Sequence, residues 1–239
     1  MTQTKLENLS ARVDGFCDAS ELVFVFEEKT NSLIEELLEG ACQEPEHKDD
    51  YIRLLERIRI RCDCSELMMS ATIGNIGYNR YDKKAPKMAE SSFRIAAQMC
   101  PESQYSTNLA YVCRRHRDAV SSSDVEIIDL LLGGVKKRDP FSLINMALHF
   151  AQNLGQEEDW KLADRMIGLL DKDKSNLSSA VEWWSKLVQE DDDEGLLVLC
   201  WMERHGKHMA SEKVRENFSG LRSRCANIPQ WVFEPMKKE

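Results

Sequence analysis

The sequence predicts an all-α protein built of consecutive helix pairs, and three observations carry that prediction. Helix-favouring residues (Leu, Glu, Lys, Ala, Met and Arg) recur throughout, while 6 Pro and 11 Gly are all that punctuate 239 residues. The connections between apolar-periodic segments are short and polar, and none carries the Asn-Gly turn that marks a hairpin of strands. Similar segments also return at the period of a two-helix unit. Gly74-Asn-Ile-Gly-Tyr78, Asn108-Leu-Ala-Tyr-Val112 and Asn145-Met-Ala-Leu-His-Phe150 look alike, and Asn75, Asn108 and Asn145 are spaced by 33 and 37 residues. Gly77, Ala110 and Ala147 then fall where two helices must approach closely.

Taken in order, Leu6, Leu9 and Val13 recur at helical spacing. Leu22-Val-Phe-Val-Phe26 has the composition of a short strand. Its flanking Glu21, Glu27 and Glu28, and the continuation into Leu33, Ile34, Leu37 and Leu38, predict instead a helix over Ser20–Glu39 ended by Gly40. Gln-Glu-Pro-Glu-His-Lys-Asp-Asp then reads as a polar linker. Tyr51–Ile60 starts another helix, with Ile52, Leu54, Leu55 and Ile58 on its apolar face. From residue 65 helices are predicted over 65–79, 86–99, 102–116, 123–137, 140–153, 157–170, 177–190, 193–206 and 211–225. Ser123 or Asp124 opens one of these, and Asp139-Pro140 opens the next with proline at a tolerated first-turn position. Gly155 follows another, and Gly206 with its basic neighbours closes the 193–206 segment. The expected organisation is a helical N-terminal block, 1–62, followed by a helical-repeat array, 63–239. A C-terminal cap would dock Trp231 and Phe233 on the last helix.

The formal net charge is −9, from 41 acidic and 32 basic side chains. That balance argues against general binding to a phosphate backbone, where a positive surface would dominate affinity. The eight cysteines are dispersed, and Met1–Gly15 contains no apolar signal core, so reduced thiols and a cytoplasmic location are expected. No apolar run reaches spanning length, and no membrane association is expected.

Residues that could carry chemistry are better explained without it. Cys62-Asp-Cys64 lacks the two-residue spacing of a metal half-site and has no second pair. Near Cys200, His205 and His208 could share a face of one helix, but Gly206 breaks that register, leaving a histidine pair at a solvated helix end. Cys113 stands beside Arg114, Arg115, His116 and Arg117, which would activate a thiol only if they faced it. An inward Cys113 with its basic neighbours in water is the expectation. No phosphate loop, Gly-x-Ser-x-Gly or His-Glu-x-x-His is present. Asp191-Asp-Asp-Glu194 reads as helix capping, not paired catalytic carboxylates. No cofactor, metal or catalytic residue is therefore expected. Two arginine groups remain, Arg53, Arg57, Arg59 and Arg61 on one helix and Arg114, Arg115 and Arg117 at the end of another. Scattered surface charges paired with the many glutamates account for them. A nucleic-acid-associated regulator using these arginine patches, its binding abolished by substitution of Arg114 and Arg115, is the alternative function.

Phe93-Arg-Ile-Ala-Ala97, Pro101 and Asn108-Leu-Ala110 together resemble a tetratricopeptide repeat. So do Asn145-Met-Ala-Leu-His-Phe150 and Gly155 followed by Trp160 and Ala163. Ala180-Val-Glu-Trp-Trp-Ser-Lys186, Asp192-Asp-Glu-Gly195, Leu199 and Gly206 resemble the related Sel1-like repeat. The resemblance implies an α-solenoid of antiparallel helix pairs behind a helical N-terminal cap. It also implies a non-catalytic scaffold or adaptor that binds a protein or peptide partner. Stacked pairs share a core that one pair could not form alone, with Trp183, Trp184, Trp201, Phe93 and Phe150 as its expected rings. Lys87, Glu90, Arg94 and Gln98 on the 86–99 segment, and Lys161 and Arg165 on 157–170, lie on the less apolar sides. With Arg114 and Arg115 they are the expected partner contacts.

Overall fold

A computed structural model describes residues 4–18, 28–101, 104–154, 156–171, 175–190, 192–208, 210–225 and 228–234. Leu22–Phe26 and Gly155, read above, lie outside them. Among the described residues the chain is all-α. The first six helices are α1 (Lys5–Asp18), α2 (Glu28–Gln43), α3 (Lys48–Arg61), α4 (Glu66–Asp82), α5 (Pro86–Met99) and α6 (Tyr105–Arg115). They are followed by α7 (Asp124–Lys136), α8 (Pro140–Leu148), α9 (Glu157–Gly168), α10 (Ser175–Gln189), α11 (Asp193–Arg204) and α12 (Glu212–Arg224). A π turn follows α8 at His149–Leu154, and short 3₁₀ turns occupy Pro45–His47 and Gln230–Phe233. The chain divides into two compact units, Met1–Ile127 and Ile128–Glu239. Among the described residues no helix is long and apolar enough to cross a membrane.

In the first unit α1, α2 and α3 pack on one another, α4 packs on α5, and α5 on α6. Helix α2 also packs against α4 and α5, so residues before position 62 share a core with those after it. Leu37, Leu38, Tyr51, Ile58, Ile73, Phe93 and Val112 fill that core. The stop expected at Gly40 does not occur, because α2 continues to Gln43. Glycine there answers a close approach: an added Cβ would lie 2.4 Å from Cε1 of the Tyr51 ring. The segment read as a linker is also mostly structured. Gln43 ends α2, Pro45–His47 forms its turn, and Lys48 opens α3. Asp49 and Asp50 lie in the first turn of α3, where negative charge suits the helix dipole.

Small residues do mark the helix contacts. A Cβ on Gly77 would meet Phe93 at 2.8 Å, and one on Gly74 would meet the Tyr105 ring at 2.0 Å. Ala110 and Ala147 are fully buried. The repeated asparagines do not share a role, however. Asn75 is exposed, Asn108 donates to the Tyr78 hydroxyl at 2.6 Å, and Asn145 is buried and donates to the Phe141 carbonyl at 2.8 Å.

In the second unit α11 is the central element, packing with α9, α10, α12 and the Gln230–Phe233 turn. Its composition explains this position, since every residue from Gly195 to Met202 is buried and a helix apolar all round belongs inside. Trp160, Trp184 and Trp201 are among the largest fully buried side chains, and the Trp160 and Trp201 ring centroids are 5.5 Å apart. Each such ring removes roughly 150–250 Å² from water, a stabilisation of a few kcal/mol. Trp183 and Phe150, expected inside, are only half-buried. Lys186 instead lies 5.8 Å from the Trp183 ring centroid. In the C-terminal turn Val232 is the fully buried anchor, while Trp231 and Phe233 are half-buried.

Among the described residues, four helices end in the same way, with a left-handed residue and two backbone hydrogen bonds that close the last turn. After α11, Gly206 (φ 60°) donates to Glu203 and Lys207 donates to Met202. Asp63, Lys84 and Arg138 take the left-handed position after α3, α4 and α7, with φ of 47°, 58° and 55°. Only the glycine could be recognised beforehand, because L side chains rarely adopt this conformation.

Candidate functional site

Two grooves gather most of the residues chosen from the sequence. In the first unit, a groove of about 300 Å³ is lined by the end of α2 (Ala41, Cys42), Pro45 and Lys48 at the start of α3, and one face of α5. That face contributes Lys87, Glu90, Ser91 and Arg94, and Ala119–Ser121 close the far side. The α5 residues converge because they fall on the face left by the buried set Ala89, Ser92, Phe93 and Ala96.

Arg94 is the electrostatic centre of the wall. It donates to Glu90 at 2.5 Å and to Glu126 at 2.6 Å. Burial works against its charge, but the hydrogen bonds it donates to Glu126 and Glu90 outweigh it and hold the guanidinium above its ordinary pKa. Glu90 is thereby occupied. Lys87 is exposed and Lys48 half-buried. Neither has an ion-pair partner among the described residues. Burial, then the charge of Arg94, lower the pKa of Lys48. Lys48 is the charged groove residue that the sequence alone did not single out. Pro45 followed by Asp49-Asp50 is the helix-start signal that could have placed it.

The second groove, about 470 Å³, lies in the second unit between α9, α11 and Trp231. It brings together Lys161 and Arg165, both exposed, with Glu157, Glu158, Asp164 and Arg204. Lys161 is paired with Glu158 at 3.0 Å and Glu157 at 3.1 Å. Deeper, Asp164 accepts from Arg204 at 3.2 Å and pairs with His205 Nε2 at 2.8 Å. Arg204 also donates to the Trp231 carbonyl at 2.8 Å and to Glu234, and lies 5.4 Å from the Trp231 ring centroid. Burial would raise the pKa of Asp164, yet its interactions with His205, the hydrogen bond first, and with Arg204 bring it below its usual value. His205 is therefore not the solvated histidine that the sequence suggested; its side chain is 8% exposed.

Gln98 is exposed on α5 and does not line the first groove. Arg114 corrects another expectation. It is 4% exposed, and its guanidinium lies 5.9 Å from the Tyr111 ring centroid, with that of Arg115 at 5.7 Å. Nearby, the Tyr81 hydroxyl is 3.2 Å from that of Tyr111 and 3.3 Å from His116 Nε2. Cys113 does point inward, but its neighbour Arg114 is not in water. The other arginines are engaged: Arg53 with Asp50 at 3.0 Å, Arg59 with Glu56 at 2.7 Å, Arg57 with Asp14, and Arg117 with Asp124.

Among the described residues, burial raises the pKa of six thiols. Burial pushes Cys113 up to about 11, against a hydrogen bond with Ser122, and Cys200 up to about 12. Cys42, Cys62, Cys64 and Cys225 are also raised, in each case chiefly by burial. Among the described residues no group of three or more His, Cys, Asp or Glu side chains could hold a metal ion. No protein-family model, curated protein or solved structure matches the chain. The site is therefore defined by its own residues.

Proposed function

We propose that this chain is a non-catalytic scaffold or adaptor that binds a protein partner through the surface of its helix pairs. On this reading the pairs are of the tetratricopeptide or Sel1-like kind, stacked as an α-solenoid, with residues 1–62 as a helical cap. The observation that carries it is the first groove. It collects Lys87, Glu90 and Arg94, three side chains of one helix face, with Lys48 from a second helix beside a wall that includes Ala41, Pro45 and Val120. A rigid concave surface with a few fixed charges selects a partner by complementarity and asks for no reacting group. Thiols raised above their ordinary pKa weigh against a cysteine nucleophile.

The alternative, a nucleic-acid-associated regulator, loses support from Arg114, which is buried. It predicts binding that weakens steeply with salt and is abolished by Arg115→Gln. Affinity purification from native lysate tests the scaffold reading directly. A specific protein should co-purify reproducibly and survive chelators and nuclease. Repeated failure to recover any specific protein would overturn it.

A further inference from the structure

The first groove has a charge imbalance that its own residues do not resolve. Its cations are Lys48, Lys87 and Arg94, and its one carboxylate is Glu90. Glu90 and Glu126 both pair with Arg94, and neither ammonium group has a direct ion pair among the described residues, Lys48 feeling Glu90 and Asp49 only at longer range. This occurs in a chain of net charge −9, where a carboxylate partner for any lysine would be easy to supply. Ala41, Pro45, Ala119 and Val120 add apolar surface beside the two lysines. The cavity, about 300 Å³, suits a side chain or two and not a folded domain.

We propose that this groove seats an acidic side chain of a partner segment, its carboxylate between the Lys48 and Lys87 ammonium groups and its methylenes against Ala41, Pro45 and Val120. The inference rests on the scaffold reading and names the chemistry of the partner. A carboxylate is favoured over a phosphate by the groove's own charges. Glu90 in the wall and Glu126 behind Arg94 repel a dianion more than a monoanion. No guanidinium in the groove is open for the bidentate contact that phosphate prefers, since Arg94 is committed to its two glutamates. An arriving anion also favours the charged form of Lys48 against burial and the charge of Arg94, which together depress the lysine in the free protein.

The test uses the full chain and a displayed library of random eight-residue peptides. Enriched peptides are synthesised with glutamate, glutamine or phosphoserine at the shared acidic position. They are then titrated by fluorescence anisotropy. Peptides that share an acidic residue are expected, with glutamine in its place weakening binding roughly 10- to 100-fold. Lys48→Gln with Lys87→Gln should cost about as much. Applied together, the protein and peptide changes should cost little more than either alone. The paired Lys48→Arg and Lys87→Arg variant should retain binding, and Lys161→Gln with Arg165→Gln should leave it unchanged. Circular dichroism of each variant guards against unfolding.

Enriched peptides that lack an acid, or that ignore the Lys48 and Lys87 changes, overturn the groove assignment while leaving peptide binding, and so the scaffold reading, in place. Tighter binding of phosphoserine overturns it in favour of a phosphorylated partner. Failure to enrich any peptide also overturns it, and the scaffold reading then stands or falls on the lysate purification.

Discussion

A single methyl group placed on each of two glycines tests the packing of the second unit. Gly195 lies in the first turn of α11, where a Cβ would sit 2.9 Å from the Trp184 carbonyl oxygen, 3.0 Å from Leu187 Cβ and 3.2 Å from Val188 N. Two of these three atoms are α10 backbone, so the clash cannot be relieved by turning a side chain. The helices must separate by a few tenths of an ångström, above Trp184 and Leu187, which are 0% and 6% exposed. Overpacking of this kind costs about 1–3 kcal/mol, offset by at most about 1 kcal/mol of helix propensity. Gly195→Ala is therefore expected to destabilise by about 1–2 kcal/mol. Gly133 in α7 is exposed, and a Cβ there meets nothing within 4 Å. Gly133→Ala should stabilise by up to about 1 kcal/mol. All five tryptophans fall after residue 128, so their fluorescence in a urea titration reports the second unit alone. The midpoints should move in opposite directions at equal slope. A Gly195→Ala protein as stable as the parent would refute the close approach of α10 and α11.

Other consequences follow from the helix ends, the buried ion pairs and the thiols. Lys84→Gly and Arg138→Gly each place glycine where the backbone is left-handed, and each should raise thermal stability by about 1 kcal/mol; a loss would refute the assigned conformation. Asp164→Asn leaves Arg204 and His205 without their shared carboxylate and should cost about 1.5–3 kcal/mol at neutral pH. Because the folded-state pKa of Asp164 lies below its ordinary value, this stabilisation is complete above about pH 4 and lost as the pH falls through the lower folded value. The difference between variant and parent in acid unfolding should shrink accordingly, and a difference that grows toward low pH would contradict the pairing. Cys113 and Cys200, pushed up to about 11 and about 12, should resist iodoacetamide at pH 7.5 until the protein is denatured, as peptide mass mapping would show. Rapid native-state labelling of Cys113 would reopen a catalytic role.

Much of the helical architecture could be read in the chain because its punctuation is chemical. Asp139-Pro140 is a helix start by hydrogen-bonding capacity and fixed φ, and Asp139 does accept from Ser142 N at 2.8 Å. Predicted 86–99 coincides with α5, since Pro86 opens it and the apolar period runs unbroken to Met99. Features set by tertiary contact were not legible. Gly40 looks like a stop, yet Tyr51 makes it a contact site; Lys84 and Arg138 look ordinary, yet end their helices left-handed. The α5 half of the first groove followed from helical period alone. Lys48 did not, because its place depends on where α2 ends and α3 begins. Arg114 shows the opposite error: a charged residue assumed exposed is buried near Tyr111.

Hydrogen exchange on the chain with its co-purified partner bound probes the proposed binding role most directly. Slowed exchange is predicted in peptides spanning 41–48, 87–94 and 119–121, the three segments that surround the first groove. Protection confined to other helices, or exchange unchanged by the bound partner, would contradict the assignment of that surface.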